Sequence, residues 1–258
     1  MKIYVCVKHV PDSAAKITIT GNNRIDESVT FLMNPYDEHA IEEAAGLKKQ
    51  VGAAEIIAVS VGKADAANTI QSALAMGADR GILVKTDSRP DSLLTARALK
   101  AAIEQDGQPD IIFTGKESID SEGFQTMHRL AAAMEMPVAS GVESFTLEQG
   151  RVLVECDLEG GAREVIEMSL PCVIGCGKGL NKPSYPTLPA IIKARKKKVQ
   201  QIDLQSLNIE KPAGRIEILE LKPAVEARRP QEVKGTPQEI ADELVRILQE
   251  EAKVITER

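Results

Sequence analysis

Glu55-Ile56-Ile57-Ala58-Val59-Ser60-Val61-Gly62-Lys63-Ala64-Asp65-Ala66-Ala67-Asn68-Thr69-Ile70-Gln71-Ser72-Ala73-Leu74-Ala75-Met76-Gly77-Ala78-Asp79-Arg80-Gly81-Ile82-Leu83-Val84-Lys85 is the stretch that decides the fold. Residues 55–60 are a short apolar run of strand length. Residues 64–76 are of helical length and end at Gly77, where a glycine commonly closes a helix. Residues 81–85 are a second apolar run. A helix between two short buried strands returns the chain to the end from which it started, so the strands lie parallel.

The alternation continues in both directions. Residues 3–7 read as a first buried strand ended by Val10-Pro11-Asp12, and Gly21-Asn22-Asn23 marks an excursion or hairpin. A helix follows Asn34-Pro35, with Ala40, Ile41, Ala44, Ala45 and Leu47 at helical spacing. Asn34 is its expected N-cap, Pro35 falls in the first turn, and Asp37 and Glu38 favour its positive end. Downstream, residues 91–105 read as a helix after Ser88-Arg89-Pro90, residues 110–114 as a strand, and residues 122–134 as a helix stopped before Pro137. Short strands alternating with longer helices predict an α/β fold with a doubly wound, mainly parallel sheet.

Residues 142–147 and 152–158 alternate around Gln149-Gly150, and Glu159-Gly160-Gly161 turns into residues 163–168. These read as antiparallel strands added at the sheet edge. From residue 199 to 229 polarity rises and core periodicity fades, as expected for an extended arm. Thr236-Pro237-Gln238-Glu239 is a capping box with proline at the first helical position. Ile240, Leu244, Ile247 and Leu248 then line one face, which must be covered by the chain's own domain or by another subunit. The expected division is an α/β domain over residues 1–198 and a C-terminal arm and helix over residues 199–258.

Composition narrows the function. The chain has 258 residues, 43% hydrophobic and 27% charged, with no apolar run of membrane-spanning length. Its first residues, Met1-Lys2-Ile3-Tyr4-Val5-Cys6, enter a strand-like run without a cleavage site, so a cytoplasmic protein is expected. A net charge of −6, no tryptophan and three tyrosines argue against general nucleic-acid binding. Of the four cysteines, Cys172 and Cys176 are four apart in a strand-like run, roughly 13 Å from each other and too far to share a metal. Buried free thiols are expected instead. His9, His39 and His128 lie on different elements without ligand spacing, so no metal site is expected.

A second stretch, Asn181-Lys182-Pro183-Ser184-Tyr185-Pro186-Thr187-Leu188-Pro189-Ala190-Ile191-Ile192-Lys193-Ala194-Arg195-Lys196-Lys197-Lys198, is of another kind. Its prolines exclude helix and inner strand from residue 183 to 189 and predict a stiff, exposed loop. Tyr185 and Leu188 have no periodic partner, and a short apolar-basic helix or turn follows over residues 190–198. Such a segment is either a docking loop for another protein or a linker that packs Leu188 back on its own domain.

In an open parallel sheet ligands bind at the carboxyl ends of strands, where helix N-termini face anions. Three loops qualify: residues 6–12, residues 60–63, and Gly115-Lys116-Glu117-Ser118-Ile119-Asp120-Ser121-Glu122-Gly123-Phe124-Gln125-Thr126. In the third, Gly123 allows close backbone approach, and amides near Phe124 to Thr126 suit a phosphate, with the Thr126 hydroxyl as a further donor. The loop matches neither the dinucleotide fingerprint nor the Walker motif. From its residues alone it is a nucleotide site or an ordinary polar loop.

These motifs together resemble the β subunit of the electron-transferring flavoproteins, the small subunit of an αβ heterodimer, over residues 2–199. The resemblance rests on Met33-Asn34-Pro35, on Ala73-Leu74-Ala75-Met76-Gly77-Ala78-Asp79-Arg80, on the third loop with its Gln125-Thr126 pair, and on Tyr185-Pro186-Thr187-Leu188-Pro189 with its lysine-rich tail. It implies an adenine-nucleotide-hydrolase-like, Rossmann-type domain with no bond-making chemistry of its own. It places AMP at Cys6, Asn34, Pro35, Tyr36, Asp37, Val61, Gly115, Lys116, Ser118, Ile119, Asp120, Gly123, Phe124, Gln125 and Thr126. It makes residues 183–198 a recognition loop, with Tyr185, Leu188, Ile191, Lys193 and Arg195 docking a dehydrogenase. The arm and final helix then pack on the α subunit, which holds most of a redox FAD. Electrons would enter from acyl-CoA dehydrogenases and leave to a membrane quinone oxidoreductase, in the service of fatty acid oxidation.

Alternatives are a bifurcating β subunit with a second FAD and NADH as donor, and a non-redox adenine-nucleotide sensor. Gln125-Thr126 and the Tyr-Pro-Thr-Leu-Pro type of loop favour AMP. The chain departs from the family pattern at several places. Phe124 stands where asparagine is common, Ser184 where arginine is usual, and Ser13 where some relatives carry tyrosine. Residues 175–179, Gly-Cys-Gly-Lys-Gly, replace a Thr-Ala-Asp pattern. Asp157 falls where relatives have a glutamate that contacts the mobile flavin domain.

Overall fold

The run at residues 55–60 is a strand covered on both faces: Ile56, Ile57, Ala58 and Val59 are all fully buried. Strands buried on both sides read as continuous apolar runs because helices cover each face of a parallel sheet. The computed structural model of the chain describes residues 1–209, 218–223 and 232–254. They fall into two units, Met1–Leu219 and Glu220–Arg258.

In chain order the first unit contains β1 (Lys2–Cys6), β2 (His9–Pro11), β3 (Ile19–Thr20), β4 (Arg24–Ile25), β5 (Phe31–Met33), α1 (Pro35–Val51), β6 (Glu55–Gly62), α2 (Ala66–Met76), β7 (Arg80–Lys85), α3 (Ser92–Asp106), β8 (Ile111–Gly115), α4 (Thr126–Ala133), β9 (Val138–Glu148), β10 (Arg151–Asp157), β11 (Arg163–Ser169), β12 (Cys172–Cys176), α5 (Leu188–Ala194) and β13 (Val199–Asp203). The second unit contributes α6 (Pro237–Arg246). Among the described residues, the main sheet has the order β11-β10-β9-β12-β8-β1-β6-β7-β13. All neighbours from β9 to β13 in that order are parallel, and β10 and β11 extend the β9 side antiparallel. The β9–β10 turn is made by Gln149 and Gly150, both at positive φ, the form that matches strand twist in a two-residue hairpin.

β1 lies between β6 and β8 with Cys6 opposite both Val59 and Thr114. The chain builds outward on one side through β6 and β7 and returns to the other side at β8. The order therefore reverses between β1 and β8, and their loops part at the carboxyl ends, which opens a crevice. One face of the sheet packs Ile41 and Ala44 of α1, Ile70 and Leu74 of α2, and Ala194 of α5. The opposite face packs Ala96, Leu99 and Ile103 of α3 with Met127 and Leu130 of α4.

The amino end of the sheet is tied by charge. Arg80 binds Glu55 through Nε at 2.8 Å and Asp106 through Nη2 at 2.7 Å, and the Tyr4 hydroxyl donates to Asp106 at 2.7 Å. Asp79 accepts from Lys48 Nζ and from the Ile56 N–H at 2.8 Å. The run ending in Asp79-Arg80 is thus used for structure, far along its strands from the crevice.

Three expectations shift. Asn34 stands at the N-cap of α1, but its side chain makes no cap bond and is used elsewhere. α4 begins at Thr126 rather than near residue 122, because Glu122 and Phe124 have φ of 44° and 51° and cannot continue a right-handed helix. Residues 199–203, read as the start of the arm, form β13, with Ile202 buried on the α3 face. Leu204 and Leu207 are buried with Ile202, while residues 210–217 and 224–231 of that arm lie outside the described residues. The capping box on α6 is present in both directions between Thr236 and Glu239, and no residue of α6 is buried.

Arg80→Ala strands two acidic groups and is expected to lower stability by about 2–3 kcal/mol in urea melts. Burial alone would raise Asp106, yet the bonds from Arg80 and Tyr4 hold it below the usual carboxylate range. A depressed carboxylate adds stability that is present above about pH 4 and lost as pH falls through its folded value. The variant should therefore lose less than the wild type on acidification below about pH 4.

Candidate functional site

The crevice is organised by one buried carboxylate. Asp37, in the first turn of α1, is 4% exposed. Its Oδ2 accepts the Lys8 N–H at 2.7 Å, and its Oδ1 accepts the Gly115 N–H at 3.0 Å and Asn34 Nδ2 at 3.0 Å. The two diverging loops, after β1 and after β8, are thus tied to one side chain. Burial pushes Asp37 up to about 7, against the three donors that favour its ionised form. Asn34 extends the tie, giving its Nδ2 to Glu117 O at 2.8 Å and taking the Ile119 N–H on Oδ1 at 3.2 Å. With its oxygen taken by Ile119, the Asn34 amide has no acceptor left for the first N–H groups of α1. Gly115 is required here, because a Cβ would run into Asp37 Oδ1 and the Cβ of Tyr36.

Lys8 closes the next layer. Its Nζ donates to Asp120 Oδ1 at 2.6 Å, Ser118 Oγ at 3.0 Å and Ser121 Oγ at 3.3 Å. Burial alone would raise the Asp120 carboxyl, but Lys8 beside it holds it below its usual range. Lys116 pairs with Glu117 at 3.4 Å, and its Nζ lies 5.4 Å from the ring centre of Tyr36 and 5.8 Å from that of Phe124. Lys178 Nζ lies over the Tyr36 ring as well, at 5.1 Å. Gln125 precedes α4 without a side-chain bond to its first-turn amides. Phe124 occupies a left-handed backbone position, which costs a phenylalanine about 1–2 kcal/mol and which asparagine tolerates better. Gly123, read as a point of close backbone approach, is not at positive φ; its two neighbours are.

Alternation along the strands decides what faces the crevice. Cys6 and Val61 pack with the α3–α4 core, and Thr114 shares that face with Ile112 two residues before it. Thr114 is 7% exposed, and among the described residues its hydroxyl has no partner. Ser60 Oγ is equally unpartnered, but Ser60 alternates with Ala58 and Ile56 and so faces α1 and α2. Residues 12–30 run outside as a strap, closed at its base by Asp12 N–H to Thr30 O at 2.9 Å. Glu27 fastens it to Lys63 and, at 3.5 Å, to Arg89.

The structure gathers Asn34, Tyr36, Asp37, Gly115, Lys116, Ser118, Ile119 and Asp120 into one bonded group, with Pro35 at the head of α1 and Phe124 against Lys116. Cys6 and Val61 join through the sheet face, and Gln125 and Thr126 through the start of α4. Sequence reasoning did not single out Lys8 or Thr114. Lys8 sits inside a flagged loop, whereas Thr114 reads only as the end of a strand. The cysteines are all free, and burial pushes the thiols of Cys6, Cys172 and Cys176 up, away from reactivity. Among the described residues no group of His, Cys, Asp or Glu is placed to hold a metal, and no helix is long and apolar enough to cross a membrane.

The proline-rich segment is fixed from behind. Asn181 Nδ2 donates to His39 O at 3.0 Å and Glu43 Oε2 at 2.9 Å, and Glu42 accepts the Ser184 N–H at 3.0 Å and its hydroxyl at 3.2 Å. Ser184 therefore serves as an anchor to α1. Tyr185 is 96% exposed and Leu188, the first residue of α5, 70% exposed. Ile191 is exposed beside them, as are Lys193 and Arg195. Lys197 turns inward and caps the end of α2, donating to Leu74 O at 2.9 Å and Ala78 O at 2.5 Å. Asp157, at the end of β10, is exposed and pairs with Arg163 at 3.3 Å.

A doubly wound sheet with a polar crevice at its switch point, and an exposed apolar loop held from behind, define the class as an α/β protein of parallel-sheet type. The chain belongs to the electron transfer flavoprotein family, among its β subunits: the family model described as "Electron transfer flavoprotein domain" matches residues 23–207. It is 36% identical over 258 residues to the mitochondrial electron transfer flavoprotein subunit beta of Arabidopsis thaliana, covering 99% of this chain and 100% of that one. It is 34% identical to the subunit beta of Bacillus subtilis, covering 99% and 100%, and 35% identical to that of Sus scrofa, covering 98% and 99%.

Asp37→Asn replaces one acceptor by a donor that must face the Lys8 or the Gly115 N–H. We expect a loss of about 2–4 kcal/mol in denaturant melts, with faster proteolysis in residues 116–125.

Proposed function

We propose that this chain is the β subunit of a heterodimeric electron carrier that buries AMP in the β1–β8 crevice and completes the FAD site of an α subunit. The observation that carries the AMP reading is the crevice itself: two loops pinned apart at the switch point by Asp37, above an uncapped helix start and a buried hydroxyl without a partner. Those features fit an adenine nucleotide. The α4 first-turn amides and Thr126 suit its phosphate, while Cys6 and Val61 offer an apolar wall.

FAD, held mainly by the α subunit, supplies the redox chemistry of the assembly. This chain makes and breaks no bond of its own. Its part is to hold AMP as a fixed element beneath the partner, to meet the flavin-bearing domain through Asp157, and to recognise the electron donor. Acyl-CoA dehydrogenases dock on Tyr185, Leu188, Ile191, Lys193 and Arg195, and electrons pass onward to a quinone oxidoreductase, as in fatty acid oxidation. A side chain as exposed as Leu188, on a backbone held by Asn181 and Ser184, meets a partner without first having to be ordered. The cytoplasm is the proposed location; the plant relative is named mitochondrial. Residues 1–198 form the nucleotide-binding domain in this reading, and residues 199–258 the arm and helix that pack on the α subunit.

The chain co-expressed with its α-type partner, denatured and assayed by chromatography, is expected to release one FAD and one AMP per heterodimer. Two FAD and no AMP would replace AMP by a second flavin. Leu188→Ala is expected to raise the KM for reduction by the dehydrogenase about 10-fold or more, as for loss of an interface anchor, while leaving the melting temperature unchanged.

A further inference from the structure

We infer that Thr114 is a nucleotide-binding residue of this chain, whose hydroxyl bonds a polar atom of the bound adenine nucleotide and is otherwise left without a partner. The inference rests on the AMP reading above and adds to it a residue that neither the family resemblance nor the sequence motifs mark.

A hydroxyl shielded from water and left unbonded costs free energy, so native proteins rarely keep one without a use. Thr114 Oγ1 is such a group, on a residue 7% exposed. Its place is specific. Thr114 is the next-to-last residue of β8, opposite Cys6 of β1 and Gly175 of β12, at the carboxyl ends where the strand order reverses. It points to the α3–α4 side, the side lined by Cys6 and Val61. The residue after it gives its N–H to Asp37, which fixes the backbone on which the hydroxyl is carried. Among the described residues nothing competes for it.

Ser60 supplies the internal comparison. It lies two residues before the end of β6, is 1% exposed and has an unbonded hydroxyl. Alternation turns it to the α1–α2 face, away from the crevice lining. Two orphan hydroxyls of similar burial thus differ in the face they address, and only Thr114 faces the crevice.

Valine has the shape of threonine without the hydroxyl. With AMP as the probe and the complex with the α subunit as the protein, Thr114→Val is expected to weaken AMP binding about 5- to 20-fold in equilibrium dialysis after the nucleotide is stripped. The same variant without nucleotide should melt no lower than the wild type, because removing an unbonded buried hydroxyl relieves a cost. Thr114→Ser should recover most of the affinity, and Ser60→Ala should leave it unchanged. Equal AMP affinity in wild type and Thr114→Val would overturn the inference alone. So would a lower melting temperature of the nucleotide-free valine variant, which would reveal a structural bond. A wild-type complex that binds no AMP would overturn the AMP reading, and the inference with it.

Discussion

Two loops that part at the middle of a parallel sheet have no strand pairing to hold them, and here a single carboxylate does so. Asp37 accepts from the loop after β1, from the end of β8 and from Asn34. Its position in the first turn of α1 means that the helix, the two strand ends and the third loop are set by one rigid group. The neighbouring contacts depend on that geometry: Asn34 reaching Glu117 and Ile119, Lys8 gathering Ser118, Asp120 and Ser121, and Thr114 carried one residue before the bonded Gly115. A carboxylate with three donors in low dielectric is costly to bury and more costly to leave unpaired, so each partner constrains the others.

The fold was largely legible because buried parallel strands leave a plain signal. Runs such as Ile56 to Val59 and Ile111 to Phe113 have no room for polar residues, and Gly77 and Pro137 mark ends that the physics of φ makes hard to mistake. The legible part stopped where side chains act at a distance. Asn34 reads as a cap by type and position, yet its amide is drawn to a loop 83 residues later in the chain. The start of α4 was misplaced because Glu122 and Phe124 adopt left-handed backbone, which neither residue type advertises. The strand β13 was hidden by its composition: Val199-Gln200-Gln201-Ile202-Asp203 buries one side chain and exposes three.

The site was legible in its loops and not in its bonds. Motif and spacing pointed to residues 115–126, and the resemblance extended this to Cys6, Asn34, Asp37 and Val61. Lys8 and Thr114 were missed because their importance lies in what they face. A lysine in a loop is ordinary until its ammonium is found among two serines and an aspartate, and a threonine at a strand end is ordinary until its hydroxyl is found alone.

Five cations in six residues, Lys193 to Lys198, suggest a strongly positive surface beside Leu188. Lys197 does not contribute to it as the others do, because its ammonium is spent on the carbonyls of Leu74 and Ala78 and is partly withdrawn from water. It functions as a rivet between the end of α2 and the segment that follows α5. An approaching molecule therefore feels a weaker field than the letters of the sequence suggest. Neutralising this lysine by modification would loosen the seating of α5 itself, whereas the same change at Lys196 or Lys198 would alter only the charge presented to solvent.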